Sequence, residues 1–430
     1  MFGAILMWEV WRYFENDWIR LYYIVRKFYF KYYGFAWVHP WPGDWMYVHF
    51  LFVAACAFCV MTGFFYRITS WLLFFSFSYW YLLDSTRYLN HLYFTALVAF
   101  LLACIPAHRA VSFDAKRNPK IKSETIPQWC LWILQIQIGI VYFYAGIAKL
   151  NPDWMKGEPI RSWLSDSDDY PLIGSWLDSE SAVMFFGHGG TLFDLLVVPA
   201  ILWNRTRVFG LLAALFFNVS NKTMFDIGIF PVLMMGATLM LLPPDWPRKL
   251  GLLFFPKTEK SEPSETKPVA KPMQQLITVF FIAYLSFQFL FPFRHWLYPG
   301  DVHWNNEGHR FAWRMKLRSK TARIDFIATD PKTGKSWEID QSEYLSSKQR
   351  RTVGRWPEMC IQFAHFMAEK LKEEGYEEIE IRVESEAALN GRSYQPFIDP
   401  DVDLVKEKWT HKPKSWILPL NEPLPEPERD

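Results

Sequence analysis

The chain has 430 residues, 51% of them hydrophobic and 19% aromatic, and only 21% carry charge. So many aromatics with so little charge exclude an ordinary soluble globule of this length. A formal net charge of +2 argues against nucleic acid as the main partner.

Long apolar runs edged by Trp and Tyr point to a membrane protein with aromatic rings at headgroup level. In chain order the apolar segments fall at 5–33 (interrupted and aromatic), 45–65, 69–83, 90–106, 127–149, 181–203, 207–220, 225–242 and 273–297. They predict an α-helical integral membrane bundle of about nine spans over 1–299. Between the last two lies PKTEKSEPSETKPVAKP, 256–272, whose composition predicts a flexible loop that buries no core. Basic loops at Arg67, Arg109–Lys122, Arg205–Arg207 and Arg248–Lys271 alternate with acidic or neutral connections such as 151–180. The positive-inside rule then places the N-terminus in the cytosol and, after nine crossings, the C-terminal region outside. A bacterial inner membrane and the endoplasmic reticulum share this sidedness. No basic stretch with a small-residue cleavage site opens the chain, so no signal peptide is expected. Cys56 and Cys59 form a CxxC only formally and read as packing.

Residues 300–430 predict a small soluble α+β domain. RIDFIATD (323–330) and SWEID (336–340) alternate like strands around the turn PKTG, and EIEIRVE (378–384) alternates like a third. Between them Phe363, Met367 and Leu371 recur at helical spacing, with Pro357 near the start and Gly375 near the end.

Three stretches can carry chemistry. In the segment ending VYFYAGIAKLNPDW, Gln135, Gly139, Tyr142, Gly146 and Lys149 share one helical stripe. Small and polar residues on an apolar helix face protein or a cavity, because polar groups facing hydrocarbon are costly. One reading is a snorkelling lysine with glycines that allow close packing. The other is a lysine at a cavity mouth that acts as a base once desolvated. LLDSTRYLNHLYF places Asn90 and His91 at the start of the fourth span, on the outer side with Lys149. FFGHGGTLFD puts His188 beside two glycines and Asp194 as a charge inside an apolar run, where packing or capping is the plainer role. No metal site is expected, since no His or carboxylate spacing suits one. DPKTGKS lacks the first glycine of a phosphate loop and reads as a hairpin turn.

DWMY (44–47), FYRI (65–68), LLDSTRYLNH (82–91), IVYFYAGIAKLNPDW (140–154), HGG (188–190), PDWPRKL (244–250) and FIDPDVDLV (397–405) occur here in the order found in one family. The chain resembles the vitamin K-dependent gamma-glutamyl carboxylases and their bacterial relatives with a horizontally transferred transmembrane domain. The resemblance implies that vitamin K hydroquinone, O2 and CO2 are consumed without a metal. Glutamate side chains of a peptide or protein become γ-carboxyglutamate while the quinone epoxide forms. It assigns the base to Lys149 and an assisting role to His91, with Asn90, Tyr142, Gly146 and His188 around the same pocket. Residues 300–430 would bind the peptide. Animal relatives continue into a longer lumenal segment, which leaves substrate choice open. The alternatives are a quinol- or lipid-dependent membrane enzyme with another acceptor, and a non-enzymatic transporter or receptor.

Overall fold

The computed structural model describes residues 1–123, 125–165, 174–225, 227–251 and 271–425. The expected flexible loop, up to residue 270, lies outside them.

The chain is mostly helical. Helix α1 spans Phe2–Glu15, α2 Trp45–Thr62, α3 Tyr66–Leu82, α4 Asn90–Cys104, α5 Trp129–Lys149 and α6 Glu180–Leu202. They are followed by α7 at Arg207–Met224, α8 at Phe230–Thr238 and α9 at Lys271–Leu290. Among the described residues four helical stretches are long and apolar enough to cross a membrane: Trp45–Thr62, Trp129–Lys149, Glu180–Leu202 and Lys271–Leu297. The most apolar window of α5 is 61% buried, whereas that of the last stretch is only 11% buried. So α5 sits at the centre of the bundle, and the last helix turns Leu276, Val279 and Ile282 outward.

Local chemistry sets the helix boundaries. Gly63, left-handed at φ 65°, ends α2. The Asp114 carboxylate then accepts the backbone N–H groups of Phe65 and Tyr66 as α3 begins. Asn151 and Pro152 stop α5; the Asn151 side chain accepts from Trp154 N and so starts a new short turn. Ser179 caps α6 by accepting from Ala182 N.

The C-terminal part holds a small antiparallel sheet ordered β2-β1-β3-β4, with β1 Lys320–Thr329, β2 Ser336–Glu338, β3 Glu380–Leu389 and β4 Gln395–Pro396. Phe326 pairs with Val383, and Ile324 with Ser385. Helix α10 (Ser347–Val353) leads to α11 (Pro357–Glu373), which buries Phe363, Met367 and Leu371 against the sheet. The three expected strands and this helix are present. β3 runs on to Leu389, past the expected end.

One expected apolar segment behaves differently. Residues 5–33 do not form a continuous helix: α1 stops at Glu15, one wide turn covers Arg20–Ile24, and the chain then leaves helical geometry. Phe28 and Phe30 enter the core of the C-terminal module. Lys31 N–H donates to the Gln362 side chain, which returns a bond to Lys31 O, and Gln349 donates to Phe28 O. Of the aromatic side chains in this stretch, Phe28 and Phe30 fill the core of the C-terminal module, while Tyr13, Tyr23 and Tyr32 stay in the core of the helices.

Candidate active site

A cavity of about 880 Å³ runs between the helices and the underside of the C-terminal module. Lys149, the last residue of α5, forms its polar floor. Its ammonium is paired with the Asp194 carboxylate of α6 and lies 3.4 Å from Gly190 O, with the Trp154 and Phe217 rings 5.4 and 5.6 Å away. Both partners are buried, at 6% and 4% exposure. A Cβ on Gly190 would sit 3.9 Å from Nζ, an ordinary contact, so it is the carbonyl of this residue and not its missing side chain that bears on the lysine. A fully buried ion pair gains little net stability. Removing one member is what costs, because the remaining charge is stranded.

Asn90, His91 and Tyr142 line the same cavity. Asn90 opens α4, accepts from the Tyr88 hydroxyl at 2.8 Å and donates to Arg314 O at 3.1 Å. His91 is buried in the first turn of α4, its ring centre 5.9 Å from that of Phe230. The Tyr142 hydroxyl and the Asn218 side-chain oxygen are buried and make no well-formed hydrogen bond, although the Asn218 and Thr238 side chains stand close to that hydroxyl. With the cavity beside them, a polar ligand atom can compete for both.

Two expected pocket residues are placed elsewhere. A Cβ on Gly146 would meet Leu195 at 2.6 Å, so this glycine serves close packing of α5 on α6 and does not line the cavity. His188 does not line it either. It stands two residues, about 200° of helix turn, before Gly190, the residue that faces Lys149. Gln135 and Gly139, on the same stripe, also face protein: Gln135 donates to Met240 O, and Gly139 approaches Val198.

Residues that the sequence reading did not bring to the site complete it. Asp194 had been noticed as a charge in an apolar run. A lysine and a carboxylate in separate apolar helices are the pattern that would have joined them. Asn218 carried no such signal. From the C-terminal part come Arg314, Lys316, Lys348 and Trp356. The Arg314 guanidinium donates to ring nitrogens of His303 and His295 at 2.9 and 2.8 Å. Burial, reinforced by the charges of Arg314 and Arg318, holds His303 well below the ordinary histidine value, so its ring is neutral and able to accept. Lys316 lies over the Phe225 and Trp163 rings at 4.5 and 5.1 Å. Six basic side chains line the cavity against the two carboxylates Glu9 and Asp194. Glu9 is bound to Arg12 at 2.7 Å, so the chamber is cationic.

The floor is also fixed to the sheet. Asp153, just past Lys149, accepts from Arg392 at 2.6 and 2.8 Å and from Asn390 at 2.8 Å, both in the turn between β3 and β4. This bidentate clamp holds the C-terminal module against the end of α5. Among the described residues no group of three or more side chains is placed to hold a metal ion.

A helical membrane protein with a buried lysine–carboxylate pair, in a cavity that the C-terminal sheet-containing module closes, defines the class. Residues 1–246 match the HTTM domain, and residues 273–423 match the lumenal domain of vitamin K-dependent gamma-carboxylase. The chain belongs to the gamma-carboxylase family, in which an HTTM membrane domain precedes this lumenal domain. These domains support a vitamin K-dependent carboxylase role. No solved structure matches the chain.

Proposed function

We propose that the protein is a vitamin K-dependent gamma-glutamyl carboxylase that converts glutamate side chains of a peptide or protein to γ-carboxyglutamate. The observation that carries this reading is the Lys149 amine, buried with Asp194 on the floor of a chamber that also holds two polar atoms without a well-formed hydrogen bond. An amine exposed to bulk water or to acyl chains would have left only the shared scaffold.

The chamber fits a hydroquinone. Phe186, Phe193, Phe217 and Met234 supply apolar and aromatic walls, and Tyr142 and Asn218 offer hydrogen-bonding atoms beside the Lys149–Asp194 pair. When bound, vitamin K hydroquinone supplies, through its oxidation by O2, a base strong enough to remove the γ-proton of glutamate. The chain's own part is to start that chemistry and shelter it. In the ion pair Nζ has no lone pair, so the proton they share first passes to the Asp194 carboxylate; the neutral amine then accepts the phenolic proton, and the ammonium that results stays beside Asp194. The proton acceptor is therefore a lysine–carboxylate pair, where the sequence had pointed to a lone desolvated amine. His91 and Asn90 orient the reacting groups from the facing helix. The apolar walls exclude the water that would quench a strong base.

The chain's path supports the sidedness. Phe28 and Phe30 pack in the C-terminal module, so an even number of crossings must separate them from it. Among the described residues four helical stretches long and apolar enough to cross lie between them, also an even number; a cytosolic N-terminus, Lys149 near the outer face and residues 300–430 outside remain the topology inferred from the basic loops. Glutamate-containing substrates then approach from the lumen or exterior.

The test is purified protein with reduced vitamin K, a glutamate-containing peptide and labelled bicarbonate. Label should enter the peptide, epoxide should form, and Lys149→Ala should lower both by a factor of about 10² or more. Quinol oxidation without peptide labelling would instead assign a different acceptor.

A further inference from the structure

At the cavity mouth three cations surround one ring. The Arg87 guanidinium lies 3.9 Å, Arg26 5.1 Å and Lys348 5.8 Å from the centre of Tyr22. Arg26 is neutralised by Asp84. Arg87 and Lys348 have no carboxylate within ion-pair reach among the described residues. Glu9, whose charge also acts on Arg87, is bound to Arg12. Arg87 is half-buried, makes one long hydrogen bond of 3.4 Å to the Tyr13 hydroxyl, and keeps its Nε buried without a partner. A desolvated guanidinium normally finds an anion, because leaving it unpaired is costly.

Tyr22, Arg87 and Lys348 all line the cavity. Arg87 sits in the turn just ahead of Asn90 and His91, whereas Lys348 is exposed on α10 of the C-terminal module. The pair thus spans the border between helices and module, on the wet side of the chamber. A glutamate undergoing carboxylation must reach the dry floor at Lys149, so a carboxylate held at this border is a different one.

We propose that Arg87 and Lys348 form a second carboxylate site, which binds another acidic side chain of the same peptide while one glutamate reacts. This rests on the carboxylase reading and adds a selection rule: the preferred substrate carries acidic residues a few positions apart. A guanidinium and an ammonium both within 6 Å of one tyrosine ring centre suit a carboxylate shared between them. The planar Arg87 fork fixes direction, and Lys348 adds charge at the entrance.

Fluorescence-anisotropy binding to the full chain in nanodiscs tests this apart from turnover. Peptides with one glutamate and a second position one to four residues away are compared as aspartate and as asparagine. At the best spacing the aspartate peptide should bind about tenfold more tightly. The advantage should shrink with added salt. In Lys348→Gln, an exposed change that leaves the core untouched, it should fall to a few-fold, and in Arg87→Gln/Lys348→Gln it should vanish. An advantage retained in the double variant, or absent from the wild type at every spacing, overturns the site. Its loss in phosphatidylglycerol discs but not in phosphatidylcholine discs would assign the cations to acidic headgroups and also overturn it. Labelling the same peptides separates the two ideas: selective binding without any carboxylation sinks the enzyme reading and leaves the site standing.

Discussion

The Lys149–Asp194 pair makes a prediction that depends on its burial rather than on its chemistry. Asp194→Ala strands an ammonium, and Lys149→Met strands a carboxylate, each beneath aromatic rings and away from solvent. Either single change should cost about 3–5 kcal/mol. Unfolding entropy of about 2.1 cal/mol/K per residue over the 430 residues makes 1 kcal/mol worth about 1 °C, so each midpoint should fall by about 3–5 °C. The double variant Lys149→Met/Asp194→Leu removes both charges and fills the space with apolar atoms. It should return to within about 1 kcal/mol of the wild type while having no activity. Thermal unfolding in detergent, followed by tryptophan fluorescence, reads all four proteins. Single changes that leave the midpoint in place, or a double variant that loses the sum of both, would refute the buried pairing. Asp194→Asn, close in shape, should lower turnover about 10²-fold or more if the carboxylate takes part in proton acceptance.

Other outcomes follow from packing and charge. Gly146→Ala should destabilise by about 1–3 kcal/mol, because the new methyl meets Leu195 at 2.6 Å. Gly189→Ala, with nothing within 4 Å, should be neutral or stabilise by up to about 1 kcal/mol. The same melting assay separates the two. Lys320 in β1 is buried, donates only to Trp304 O and Arg355 O, and is held well below its ordinary value by burial first and then by the Arg318 charge. The folded state therefore binds fewer protons there than the unfolded state, and stability should rise with pH from neutrality towards 10.5. Lys320→Met should reduce that slope in melts taken between pH 7 and 10, leaving the smaller part due to Lys31 and Lys348, which burial also lowers. Arg392→Gln breaks the bidentate bond to Asp153 and should raise the protease sensitivity of the C-terminal module. It should also cost about 1.5–3 kcal/mol.

Much of the architecture was legible because single segments announce themselves. The alternation in 323–330 and 378–384 gives β1 and β3, and the Phe363, Met367 and Leu371 spacing gives α11. The polar stripe ending at Lys149 gives a protein-facing helix. Asn90, His91, Tyr142 and Lys149 were brought to one cavity. What sequence could not reveal is pairing across distance: Lys149 and Asp194 lie on different helices, and nothing in local periodicity brings Arg314 or Lys348 over them. Gly146 and His188 were misplaced for a related reason. A motif marks a segment, but the rotation of its helix decides which side meets the cavity. Phe28 and Phe30 were read as membranous because aromatic rings look alike whether they fill a soluble core or anchor at headgroups.

The threading of residues 28–31 under α11 also bears on how the protein is made. A stretch from the first tenth of the polypeptide is a structural component of the last third, so the module cannot close until almost the whole chain has left the ribosome. Its early aromatic residues must wait, unpaired, while the membrane helices insert. A fragment beginning near residue 300 should lack part of its own interior. Supplying a peptide that carries residues 26–40 is the simplest way to complete it.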